Sequence, residues 1–374
     1  MAPLLTYLVP LLALPAIQAC PTKHHSSSSC GQLSGNKTIK AFQLYPENAD
    51  FDTKRCVAYF RLVASSFKRS SAFRRRKNVL YNSTVASWNP YTSEIETIEI
   101  PGLSFDSELH SSGVRVDPLD RLSIIIDAGS AFDTEGKNIT GDNILVKYDL
   151  TQKRVLWQRN LTELTNGVYG GFQDTAHGPD GTTYALGTFP SSIIRVSPDG
   201  SKADAFYLKT PAIHTIHGFS GLVTAPDGKS ILVADSSDGQ LYRLDIGVSA
   251  NSTAVAPVRV PLKSADIIGS ALDGVSIPSR YNGKVILVSD NVNGTVVLHS
   301  DDAKWESATV LGSVPNGYLA DGGSSVTTVQ IGGSVYVVTE WFGDSKVAGT
   351  LAGDRSEWPL VDITAAVDAF LAKL

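Results

Sequence analysis

The chain has 374 residues with 32 glycines, 18 prolines, a single methionine and a formal net charge of −5. That length is large for one core, and the glycine content suits a turn-rich β protein. The acidic balance argues against nucleic-acid binding, which normally shows as basic excess.

Residues 3 to 17 are apolar and broken by proline, and Ala19 offers a small-residue cleavage site, so residues 1–19 read as a secretory signal peptide. No other stretch approaches 18 uninterrupted apolar residues, so stable membrane insertion is not expected, and the destination is the secretory pathway: outside the cell, or the lumen of the endoplasmic reticulum or vesicles. Residues 20–37 form a polar, His- and Ser-rich lead-in, expected to be disordered. All three cysteines fall before residue 57. Cys20 and Cys30 are the expected pair by proximity, whereas a bridge through Cys56 would pin the tail to the first structural unit.

From residue 38 to 363 one pattern recurs. A polar residue and a Gly, at Ser112-Gly113, Gly170-Gly171, His217-Gly218, Asp273-Gly274 and Asp321-Gly322, is followed by a turn such as Pro179-Asp180-Gly181 or Tyr281-Asn282-Gly283. Gly and Asn tolerate the positive φ of tight hairpins, so each turn reads as a strand reversal. An apolar strand follows: 122–126, 183–186, 231–234, 285–288 and 335–338, ending in Asp127, Thr188, Asp235, Asp290 and Glu340. A further turn and alternating strand complete a unit of about 45 to 60 residues, enough for four short strands. The expected fold is all-β, a six-bladed β-propeller with blades over 38–101, 102–165, 166–212, 213–262, 263–315 and 316–363. Residues 37–45 should lend an outer strand to the last blade, closing the ring and removing two exposed edges. Residues 364–374 place Val367, Phe370, Leu371 and Leu374 on one face of a short C-terminal helix. A basic, Ser-rich insert, 61–78, interrupts the first blade and reads as a solvated surface loop.

In a four-stranded blade the start of the inner strand and the end of the second lie at the same end of the sheet. The two columns should therefore converge on one mouth of the central channel. Candidate catalytic residues there are His217 and Asp273, then Asp174, Asp321 and Glu340; candidate substrate contacts are Gln173, His177, Ser220, Trp341 and Asp290. Carboxylates and imidazoles in one funnel can bind a divalent cation, act as general acid and base, or simply solvate a rim. An aromatic wall with few polar groups suits a small hydrophobic metabolite, a terpenoid or lipid. Six glycosylation sequons, at Asn36, Asn82, Asn138, Asn160, Asn251 and Asn293, agree with the leader.

The run Ala271-Leu272-Asp273-Gly274-Val275 followed by Val285 to Asn291 resembles the senescence-marker/gluconolactonase type of six-bladed propeller, which uses channel carboxylates and amides around calcium or zinc. Only Asp273 matches that pattern here. Ser220-Gly221 replaces an Asn-Gly, and no first-blade Glu is apparent, which disfavours a metal-dependent lactonase. Ca2+ is kept as an alternative, and no cofactor is expected. A likeness over nearly the whole chain, through Gln43 to Asn48, Leu80 to Val85 and Trp358-Pro359-Leu360, is to the propeller proteins of fungal trichothecene toxin gene clusters, relatives of a yeast lipid-binding propeller allergen. The resemblance implies a monomeric protein of sesquiterpenoid mycotoxin biosynthesis and plant virulence. The expected chemistry is dehydrative ring closure of an oxygenated trichodiene-type intermediate, with a non-catalytic carrier or effector and a metal-dependent hydrolase as rivals.

Overall fold

A computed structural model describes residues 30–62, 83–106, 108–247, 255–347 and 352–374. The leader, Cys20, Asn82, Asn251 and most of the basic insert lie outside these residues.

Six sheets follow one another around a ring. The N-terminal strand β1 (Lys37–Lys40) precedes blade 1, formed by β2 (Ala49–Asp52), β3 (Val57–Leu62), β4 (Thr84–Trp88) and β5 (Ile95–Ile98). Blade 2 comprises β6 (Leu109–Val116), β7 (Arg121–Ala128), β8 (Ile144–Asp149) and β9 (Arg154–Asn160), with the one-turn helix α1 (Ser130–Asp133) after β7 and α2 (Leu161–Leu164) after β9. Blade 3 is β10 (Gly170–His177), β11 (Thr183–Phe189), β12 (Ser192–Val196) and β13 (Ala203–Leu208). Blade 4 is β14 (Phe219–Thr224), β15 (Ser230–Asp235), β16 (Gln240–Asp245) and the short β17 (Val258–Arg259). Blade 5 has β18 (Leu262–Lys263) added in parallel to the outer edge of β19 (Leu272–Ser276), β20 (Val285–Asp290), β21 (Gly294–His299) and β22 (Ala308–Val314). Blade 6 is β23 (Ser324–Ile331), β24 (Ser334–Glu340) and β25 (Glu357–Asp362), closed on its outside by β1, where Lys37 pairs with Leu360 and Lys40 with Glu357. The C-terminal helix α3 (Thr364–Leu371) packs Val367 into the junction of blades 5 and 6.

The strands alternate because each blade is buried on both faces. On β7, Leu122, Ile124 and Ile126 pack towards blade 1 and Ile125 towards blade 3. On β15, Ile231 and Val233 face blade 3 while Leu232 and Ala234 face blade 5. Successive side chains point to opposite faces, so a strand buried on both sides reads as an unbroken apolar run. The hydrophobic core is correspondingly six cores, one per junction.

Five inner strands carry a register shift against the second strand, and these shifts revise the repeat. They fall at Ser111/Val114, Phe172/Asp174, Phe219/Gly221, Leu272/Val275 and Ser325/Thr327. Ser112-Gly113 and Asp273-Gly274 lie at a shift, whereas Gly170-Gly171 opens β10 ahead of its shift and His217-Gly218 and Asp321-Gly322 precede theirs in the incoming loop. Ser220-Gly221, not His217-Gly218, is therefore the structural counterpart of Asp273-Gly274. The glycines are required because inner strands nearly touch: a Cβ on Gly113 would sit 2.8 Å from the Gln173 carbonyl, and one on Gly221 2.6 Å from the Asp273 carbonyl.

The cysteine pairing differs from the proximity expectation. Cys30 bonds Cys56, with the Cα atoms 5.4 Å apart, and so ties the tail to the first hairpin of blade 1. Proximity along the chain is a poor guide once β1 carries the tail across blade 6. Of the sequons, Asn36, Asn138 and Asn293 are exposed. Asn160 is half-buried and caps α2, accepting from the Thr162 and Glu163 amides.

Candidate functional site at one mouth of the channel

Glu47 lies two residues before β2, the inner strand of blade 1, and pairs with Arg61 on β3. Arg61 belongs to the strand and not to the basic insert, and only 7% of it is exposed. Next round the ring comes His110 on β6, whose imidazole lies over Gly129; a Cβ there would sit 2.0 Å from the ring. Gln173 from blade 3 donates to the Thr188 hydroxyl at 2.7 Å. His217 stands on the loop into blade 4, exposed on one side, its ring meeting Phe189 edge to face at 5.2 Å. Asp273 comes from β19, and the Asn291 amide after β20 donates to its Oδ2 at 2.9 Å and to the Ser325 carbonyl at 3.0 Å. Glu340 ends β24, and Trp341 and Phe342 follow it. Together with Tyr45 and Phe132 these groups line a cavity of about 290 Å3.

Burial controls the proton chemistry of this cavity. It pushes Glu340 up to about 7, against the opposing charge of Arg61. The Asp273 carboxyl, although partly open to the cavity, is raised well above the carboxylate range by burial and then by the neighbouring charge of Glu340. Stripping water from a carboxylate favours its neutral form, and a second carboxylate nearby reinforces this. Behind the wall Asp127, held by the Ser112 hydroxyl, is likewise pushed up to about 6 by burial. The imidazoles move the other way: burial lowers His217 and takes His110 down to about 3, so both are neutral near pH 7.

Five expected site residues lie elsewhere. Asp174 is buried below the cavity, where it accepts from Asn48 at 3.2 Å, Arg115 at 3.3 Å and the Leu222 amide at 3.2 Å, stitching four inner strands together. His177 is buried between blades 2 and 3, 2.7 Å from the Ser123 hydroxyl, in a network with Lys147 and Asp117. Ser220 is buried, and its hydroxyl reaches only the Ala234 carbonyl at 3.4 Å. Asp290 accepts from the amides of Ser270, Ala271, Val292 and Asn293, fixing two loops. Asp321 is exposed on the loop into blade 6, and its carbonyl takes the Trp341 indole N–H at 3.1 Å. His217, Asp273, Glu340, Gln173 and Trp341 do share the cavity. Glu47, Arg61, His110 and Asn291 were not singled out by the repeat; the position of Glu47 just before the first inner strand was the available signal.

The charges around the cavity fit a divalent cation poorly. Arg61 already pairs with Glu47, its positive charge faces Asp273 and Glu340, and among the described residues no group of three or more His, Cys, Asp or Glu is placed to hold a metal ion.

The chain is 31% identical over 357 residues to trichothecene biosynthesis protein 14 of Trichoderma arundinaceum, covering 91% of this chain and 90% of that protein. It is 32% identical over 370 residues to core trichothecene cluster protein 14 of Fusarium sporotrichioides, covering 92% and 89%. The chain belongs to the trichothecene cluster protein 14 family. No family profile matches the chain. Among solved structures, the major allergen Mala s 1 of Malassezia sympodialis superposes with a TM-score of 0.71 at 19% identity, covering 88% of this chain and 96% of the allergen. That likeness establishes the six-bladed fold for this cluster protein 14 relative and nothing of its chemistry.

Proposed function

We propose that this protein serves trichothecene biosynthesis as a cofactor-free dehydrative cyclase, closing an oxygen ring on an oxygenated trichodiene-type intermediate in the upper cavity. The observation that carries the reading is the pair Asp273 and Glu340, on adjacent blades of one small aromatic-walled cavity, both pushed above the ordinary carboxylate range by burial, Glu340 to about 7. A general acid works best when its pKa lies near the working pH. The names of the relatives supply the pathway.

In this mechanism Asp273, oriented by Asn291, donates its proton to a departing allylic hydroxyl. The carbon–oxygen bond breaks and water leaves. A second hydroxyl of the same molecule attacks the allylic carbon, and its proton passes to neutral His217. One water is lost overall, no electrons are exchanged, and His217 returns its proton to Asp273 through solvent. Holding both hydroxyls in one pocket supplies the proximity that makes an intramolecular attack fast.

A carrier that binds the same metabolite without turning it over is the alternative for the same cavity. Incubating purified protein with the triol intermediate and following the mass loss of one water separates the two: cyclised product above buffer supports the enzyme, and saturable binding at the buffer rate supports the carrier.

A further inference from the structure

The charge of the upper cavity is unbalanced. Its wall holds five carboxylates, Glu47, Asp133, Asp273, Glu340 and Asp344, against Arg61 and Lys346, a formal balance of −3 (2 − 5) before any protonation. Arg61 is committed to Glu47, and Lys346 is exposed at the rim. Asp344 is neutralised from behind by Arg355 at 2.9 Å. Asp133, like Lys346, is exposed to solvent, so the buried part of the deficit lies at Asp273 and Glu340, where Glu340 Oε2 is buried without a hydrogen-bond partner. The remaining wall is aromatic, from Tyr45, Phe132, Trp341 and Phe342. Aromatic faces attract cations, and Trp341 already does so on its outer side, with the Arg355 guanidinium 4.0 Å from the ring centroid.

We propose that this cavity is built to hold positive charge inside an apolar envelope: its ligand class is an uncharged polyol whose reacting carbon becomes cationic, and a small lipophilic ammonium ion is the stable mimic of that state. The inference rests on the dehydrative reading, because loss of a protonated hydroxyl leaves an allylic cation. Proton donation also turns Asp273 into the carboxylate that faces the new charge. The acid thus creates the cation and its counter-ion in one step, and no solvent has to reorganise around them.

Titration calorimetry at a pH above about 7, where the Glu340 carboxyl is ionised, with N,N-dimethylcyclohexylammonium and its neutral counterpart 2-cyclohexylpropan-2-ol tests the proposal without requiring turnover. The ammonium ion is expected to bind at least about tenfold more tightly than the alcohol, the discrimination a desolvated cation–aromatic contact can supply. Asp273→Asn and Glu340→Gln should each weaken ammonium binding severalfold more than alcohol binding, with an unchanged far-ultraviolet circular dichroism spectrum as the check on folding. Equal or tighter binding of the alcohol, no binding of the ammonium ion, or insensitivity to both substitutions overturns the inference. Turnover of the triol without ammonium preference sinks this inference alone, and ammonium preference without turnover sinks the cyclase reading alone.

Discussion

Glu340 and Asp273 carry the heaviest chemical load among the side chains, and their behaviour with pH follows from burial. A carboxyl whose native pKa is raised binds its proton more tightly folded than unfolded. Its contribution to stability is therefore present in acid and is lost as pH rises from the ordinary Glu value of 4.5 through about 7. Thermal unfolding should show a melting temperature that falls across this window, and Glu340→Gln, which cannot ionise, should flatten the slope. An unchanged slope in that variant would remove Glu340 as its source. Turnover should follow the proton on Asp273, falling as pH rises through the raised range of that carboxyl, and Asp273→Asn should lower it by about a hundredfold or more, the usual worth of a positioned acid. A variant with wild-type turnover would strip Asp273 of its role. His217→Gln tests the other half of the pair, with the same order of loss expected in the rate of the cyclising step.

The strands show how far the sequence could be read. Apolar runs such as Ile231 to Ala234 mark strands buried on both faces, and the end of β24 carries Glu340 and Trp341 into the wall of the cavity. The inner strands were harder, because a register shift changes which residue faces the axis without leaving a fixed mark in the sequence. His217-Gly218 and Asp321-Gly322 imitate Asp273-Gly274 in composition but lie in the incoming loops, so Asp321 is exposed while Asp273 lines the cavity. At the end of β20 the reading was off by one residue: Asp290 turns back to cap loops, and Asn291 faces the cavity. Arg61 was illegible because blade 1 has no polar-Gly signature, Glu47 was marked only by its place before the first inner strand, and His110 lay close to the first column in sequence, although its room depends on the distant Gly129. The shift glycines give a stability prediction. Gly113→Val places side-chain atoms against the backbone of blade 3 and should cost about 1–3 kcal/mol in denaturant unfolding, as overpacking does; a neutral result would mean that the inner strands are not held in contact. Replacing Cys30 and Cys56 together with Ser should cost about 3 kcal/mol, because it releases the constraint on the unfolded loop.

The whole molecule is a ring fastened twice on the same side, by β1 pairing with β25 and by the Cys30–Cys56 bridge. Closure matters for the site because adjacent walls come from opposite ends of the chain: Glu47 and Arg61 stand on blade 1, Glu340 and Trp341 on blade 6, and only the joint between these blades holds them in one cavity. Asp174, Asn48 and Arg115 bridge the waist of the channel and separate the upper cavity from a second one of about 640 Å3 at the other mouth. Single-turnover mass spectrometry of the purified protein with the oxygenated triol tests the central claim most directly. The cyclase reading predicts a product lighter by one water, formed faster than in buffer and lost in Asp273→Asn; triol recovered unchanged, at the buffer rate, would contradict it.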